Sequence, residues 1–178
     1  MTLGMTTSTY TMLHVLISLI GIGSGIVVMY GFLTARRLDG ITTVFLGSTV
    51  LTSLTGFAFK NDHVTPGIIV GVLSLVTLAV AIVARYSLHM KGAWRWIYVV
   101  TASLALYFNV FVLVVQSFEK VPALNALAPT QKEPPFAVTQ LVLLAVFVAL
   151  TIAAVKRFRV GPATVSSLSG DPRQKGAA

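Results

Sequence analysis

Cysteine is absent from the 178 residues, which excludes disulfides, thiolate nucleophiles, iron–sulfur clusters and cysteine-ligated zinc. Any metal would need histidine or oxygen ligands. Charge is also scarce: Asp, Glu, Lys and Arg make up 10% of the chain, and only 5 residues are acidic. A soluble domain carries about 25% charged residues, so the shortfall, with 56% hydrophobic residues and a mean hydropathy of +0.87, makes lipid the expected solvent. No stretch is left over for a separate soluble catalytic domain. Gly-rich phosphate loops, paired-histidine motifs and nucleophile elbows are missing as well.

What the chain does contain is five apolar runs, at 12–34, 41–59, 67–86, 96–118 and 136–155. Each is close to the roughly 20 residues that cross a hydrocarbon core at about 1.5 Å per residue. They do not alternate as β-barrel strands would, so helices are the way to satisfy their backbone in lipid. The expected fold is an all-α integral membrane bundle of five transmembrane helices. Residues 1–11 form a short N-terminal segment, 12–155 the bundle and 156–178 a basic, flexible tail. The first run follows a stretch without positive charge and is longer than the apolar part of a secretory signal, which reads as a retained span. Thr65 and Pro66 suit the N-cap and first position of the third helix. Four of the 7 prolines fall between 119 and 135, around a short interfacial helical turn expected at 123–128.

The net charge of +8 is explained by topology. Arg36, Arg37, Arg85, Lys91, Arg95, Lys156, Arg157, Arg159, Arg173 and Lys175 fall on one side of the spans, and only Lys60, Lys120 and Lys132 on the other. The positive-inside rule puts the ten in the cytoplasm, with the N-terminus out and the C-terminus in. Trp94, Trp96, Tyr98 and Tyr86 form an aromatic belt at that face. Nucleic acid is therefore not an expected partner; membrane lipids are, with other membrane subunits or a second copy as further candidates.

Small and polar residues mark where helices meet in lipid. The stripes are His14, Ser18, Gly21 and Gly25 in the first helix; Ser48, Thr52 and Gly56 in the second; Gly67, Gly71 and Ser74 in the third. The fourth carries Ala102, Ala105, Asn109, Val112 and Gln116, and the fifth Gln140, Leu144, Phe147 and Thr151. No ionisable side chain other than histidine is expected deep in a span, which argues against a carboxylate path for ions or protons.

One cluster is a candidate ligand site. By residue counts His14 and Gln116 lie about 3 Å below the outer boundary and Gln140 roughly 6 Å. His63 lies in the loop above, and Phe57 and Phe136 stand at the rim. A quinone or similar lipid-like head group would suit such a pocket, whereas interhelical hydrogen bonding alone is the plainer explanation. A b-type haem held by His14 and His63 is a third possibility, and copper on Met5, Met12 and His14 is a looser fit. Three classes thus stay open: a non-enzymatic membrane subunit or scaffold with no cofactor, a quinone or lipid-like ligand binder, and a haem electron carrier.

The runs TGFAFKNDHVTPGIIVGVLSL from Thr55 and LYFNVFVLVVQSFEKVPALNALAPTQKEPPF from Leu106 resemble a group of small polytopic inner-membrane proteins of Gram-negative bacteria with no assigned activity. The resemblance, over about 12–158, implies a multi-pass protein of the bacterial inner membrane. It carries over no functional residue.

Overall fold

The structure is a computed structural model that describes residues 6–59 and 66–159. Among them are helices α1 (Thr7–Leu33), α2 (Asp39–Phe57), α3 (Pro66–Ile82), α4 (Trp94–Lys120), α5 (Pro122–Leu127) and α6 (Pro134–Arg157), and no strand. All but α5 are long and apolar enough to cross a membrane, α3 together with the turn that extends it. The tail beyond 159, Thr65 and His63 lie outside the described residues.

Local chemistry sets the helix ends. Thr6 caps α1 by accepting from Thr9 N at 3.2 Å, so the helix begins at Thr7, ahead of its apolar run. Prolines open α3, α5 and α6, where a missing N–H costs nothing. α3 ends in a π-helical turn, Val83–Ser87, and the chain then reverses through His89, Met90 and Gly92, all with positive φ. The α5 turn is tied back to α4 by Asn125, whose Nδ2 donates to Phe118 O at 3.2 Å, and by Gln131, whose Nε2 donates to Val115 O at 3.1 Å. Before α6, Glu133 accepts from Thr130 Oγ1 (2.8 Å), Thr130 N (3.2 Å) and Lys132 N (3.0 Å). The Thr130 hydroxyl first, with the two amides, holds this carboxyl below the ordinary carboxylate range.

Helices α1 to α4 form a four-membered ring in chain order, and α6 lies outside it against α4 and the end of α1. Basic side chains collect at the end where α1 stops and α4 starts, hereafter the basic end; the other is the neutral end. The apolar core sits in the basic half, built from Val28, Met29, Phe32, Phe45, Leu46, Leu78, Tyr98, Val99 and Leu106 with closely packed alanines. Phe32 meets Tyr98 and Phe158 edge to face at 5.5 and 5.0 Å. Arg95 donates to the carbonyls of Phe158 and, at 3.4 Å, Val155, satisfying the end of α6.

Most of the expected contact stripes do face inward, but that of α6 needs correcting. Leu144 is 42% exposed, whereas Leu143, Phe147, Leu150 and Ala154 turn toward the bundle. The reason is that polarity gave the stripe only Gln140 and Thr151 as guides, and both are compatible with either neighbouring leucine.

Gly25 is where close approach matters most. A Cβ there would sit 2.6 Å from Leu106 Cδ1 and 2.8 Å from the Phe45 ring, and both partners are fully buried. Gly23, two residues away, has open space around it. Gly25→Ala is expected to cost about 1–3 kcal/mol through overpacking, while Gly23→Ala should leave stability unchanged or slightly raised. Thermal unfolding of the two purified variants in the same detergent checks this.

Candidate functional site

In the neutral half, helices α1 to α4 do not close on one another. Between them lies a cavity of about 840 Å³, lined from Thr7, Glu119 and Lys120 at its mouth to Ile22, Ser74 and Asn109 at its floor. Fifteen residues of α1 at about 1.5 Å each make it roughly 22 Å deep. The named contacts between α1 and α4 explain why it exists. Gly25 faces Leu106, Gly21 faces Asn109 and Phe32 faces Tyr98, all at or below the floor; above it the two helices are lined by Val15, Leu19, Val112 and Leu113 rather than joined.

The wall is polar along much of this length, and α2 is the hub of its hydrogen bonds. Tyr10 of α1 donates to Thr55 O at 2.7 Å, and His14 Nδ1 lies 2.8 Å from Thr55 Oγ1. Asn109 Nδ2 of α4 donates to Thr49 Oγ1 at 3.1 Å, and Ser53 donates to Ser74 Oγ of α3 at 3.1 Å. Thr55 Oγ1 itself donates to Leu51 O at 2.7 Å. When that proton goes to Leu51 O, the neutral imidazole donates to Thr55 Oγ1 through Nδ1–H and its Nε2 is left as an acceptor. Phe59 meets the His14 ring edge to face at 5.2 Å and the Tyr10 ring at 5.1 Å. The hydroxyl of Thr52, a cavity residue, is buried without a hydrogen-bond partner among the described residues.

The predicted site residues divide. His14, Gln116 and Phe57 all line the cavity; Gln116 Nε2 donates to Glu119 Oε2 at 3.3 Å. Gln140 and Phe136 are elsewhere. Gln140 is on the far side of α4, with Nε2 donating to Phe111 O at 3.4 Å and Oε1 buried without a partner among the described residues. Phe136 packs on Phe118 at 5.4 Å, edge to face. Both sit in α6, which the ring of α1 to α4 excludes; common depth did not reveal that. Phe59, Asn109 and the Ser53–Ser74 pair complete the wall; Phe59 belongs to the aromatic rim expected from the sequence, and Asn109 and Ser74 to the expected contact stripes.

Sequence reasoning treated Arg85 as a topological cation at the edge of a span. The structure buries it, with its side chain 5% exposed, in the π turn closing α3. It pairs with Asp39 at the start of α2, donates to Tyr98 Oη of α4 at 3.1 Å, and lies 5.3 Å from the Tyr98 ring centre and 5.5 Å from that of Tyr86. Tyr86 Oη is 3.0 Å from Thr43 Oγ1. The signal was available: Ser74, Leu78, Ala81 and Arg85 follow helical spacing along the buried face of α3. A smaller cleft of about 270 Å³ opens beside Arg37, Asp39, Arg85 and His89.

No protein-family model, curated protein or solved structure matches the chain.

The ion pair at the basic end yields a prediction. Arg37 also approaches Asp39, at 3.4 Å, but is half exposed, so Arg37→Gln should cost under about 1 kcal/mol. Asp39→Asn strands the buried Arg85 and should cost about 1–3 kcal/mol, less than a wholly buried pair would because Asp39 stays wet. Adding Arg85→Met to Asp39→Asn should recover part of that loss. Thermal unfolding of the three variants gives the ranking.

Proposed function

We propose that this chain is a multi-pass membrane protein that binds a lipid-like amphiphile, of quinone-like size and polarity, in the cavity between α1 and α4. The cavity carries the reading. Its volume of about 840 Å³ falls within the roughly 300–1,000 Å³ of ordinary small-molecule sites. Aromatic walls from Phe57, Phe59 and Phe108 stand beside a few convergent polar groups, His14, Asn109 and Gln116, the mixture that orients an amphiphile. Charge bias and resemblance favour the bacterial inner membrane, with the cavity mouth outward and the basic end in the cytoplasm.

A purely structural role for the polar wall accounts for the bonds of His14, Asn109 and Ser53 to neighbouring helices. It does not account for the empty volume, because packing to native density would fill it. The subunit or scaffold reading draws on nothing specific, since exposed apolar helix faces are what lipid requires. For haem, His14 is the histidine at the cavity among the described residues, which do not include His63, and His89 is at the opposite end.

Gly56 offers the test. It lines the cavity, and a Cβ there meets only His14 Cε1, at 3.8 Å. Gly56→Leu should therefore project a branched side chain into the cavity beside His14, where a Cβ finds room. Native mass spectrometry of protein purified in mild detergent is expected to show a bound amphiphile on the wild type and its loss from Gly56→Leu at unchanged thermal stability. A wild type carrying no amphiphile, or a variant that keeps it, refutes the reading.

A further inference from the structure

The protons of the cavity wall are unevenly spent. Thr11 Oγ1 donates to Thr7 O at 2.9 Å, Ser18 Oγ to His14 O at 2.8 Å and Ser117 Oγ to Leu113 O at 2.7 Å. Ser53 shares its proton between Thr49 O at 3.0 Å and Ser74 Oγ at 3.1 Å. The Thr11, Ser18 and Ser117 hydroxyls turn their hydrogens to their own helices and keep lone pairs for whatever enters the cavity. With the Thr55 proton on Leu51 O, the tautomer this arrangement favours has His14 donating Nδ1–H to Thr55 Oγ1 and its Nε2 lone pair left over.

Donors are fewer and differently placed. Asn109 and Gln116 each spend one amide N–H, on Thr49 and Glu119, and keep one N–H and one carbonyl, so they favour neither kind of partner. The Thr52 hydroxyl is buried and has no hydrogen-bond partner among the described residues. The Lys120 ammonium is at the mouth. Around His14, about two helical turns in from Thr7 or roughly 10 Å, the neutral side chains Thr11 and Ser18 offer lone pairs, Lys120 stands toward the mouth, and the aromatic ring of Phe59 stands at 5.2 Å.

We infer that the cavity selects an aromatic head group that donates a hydrogen bond: the hydroxylated, quinol form of a quinone-like amphiphile rather than the quinone, with His14 Nε2 accepting from its hydroxyl. A quinone carbonyl brings only lone pairs and would face those of His14 and Ser18. A quinol hydroxyl supplies the missing proton. The tail leaves where α1 and α4 part, past Val15, Leu19 and Leu113, which are 43%, 47% and 39% exposed. No charged head group is needed, because the charged pair Glu119 and Lys120 stays at the mouth.

This inference rests on the cavity being a ligand site, and the two can fail separately. The full-length protein in detergent is titrated anaerobically, by calorimetry, with a decyl-substituted benzoquinol and with the matching benzoquinone. The quinol is expected to bind about tenfold tighter, the size of one net hydrogen bond, and the preference should shrink toward parity in His14→Phe. Equal or tighter binding of the quinone to the wild type overturns the head-group assignment while leaving a ligand site in place, as does a preference unchanged in His14→Phe. Binding of neither compound overturns the assignment of these probes' chemistry to the cavity. Should His14→Phe fail to fold, the ratio measured on the wild type decides alone.

Discussion

Close approach of α1 to α2 is the contact on which the other positions depend. Gly21 lies against Ser48 and Thr49, and Gly25 against the Phe45 ring, so at these positions α1 places no side chain between the two backbones. Without a hydrophobic drive between helices in lipid, such proximity and the hydrogen bonds it permits supply the association. α2 then presents hydroxyls on several sides at once: Thr55 toward His14, Thr49 toward Asn109, and Ser53 toward Ser74. One short helix thereby positions three others.

The same contacts that hold the ring produce its cavity. Bulk is concentrated in the basic half, where Phe32, Phe45, Leu78, Tyr98 and Leu106 fill the centre. Toward the neutral end Ser18, Gly56, Gly67, Gly71 and Ser74 take several of the lining positions, and they are too small to meet across the middle. Small residues permit two backbones to touch, but where small positions of α1, α2 and α3 face α4 across a common axis they leave a void. Its polarity follows directly, since the residues that let helices approach are also those that carry hydroxyls.

At the basic end the constraint is electrostatic. A buried guanidinium in a span has to be neutralised and hydrogen-bonded, and Arg85 achieves both with Asp39, Tyr98 and two aromatic faces. The π turn over Val83–Ser87 contains Arg85 itself, and π turns of this kind recur where a side chain must be re-aimed. That cluster ties α2, α3 and α4 together at the end opposite the cavity.

The number of long helices and their apolar character were legible before any coordinates, because a backbone in lipid has almost no alternative to the helix and its length is set by the bilayer. Much of the contact pattern was legible too: Gly21 and Gly25 announced themselves by spacing, and His14 and Gln116 by polarity where polarity is costly. Which polar residues share a space was not legible. Gln140 has the same depth and chemistry as its supposed companions, yet α6 packs outside the ring, and hydropathy carries no information on azimuth around a bundle. Arg85 failed for the complementary reason, since a cation near a span's end obeys the positive-inside rule whether it points to water or to the core. Chain composition determined solvent, helix count and the small faces available for contact; only the three-dimensional packing decided which faces met and where they left a hollow, because that choice depends on side-chain volumes summed over several helices at once.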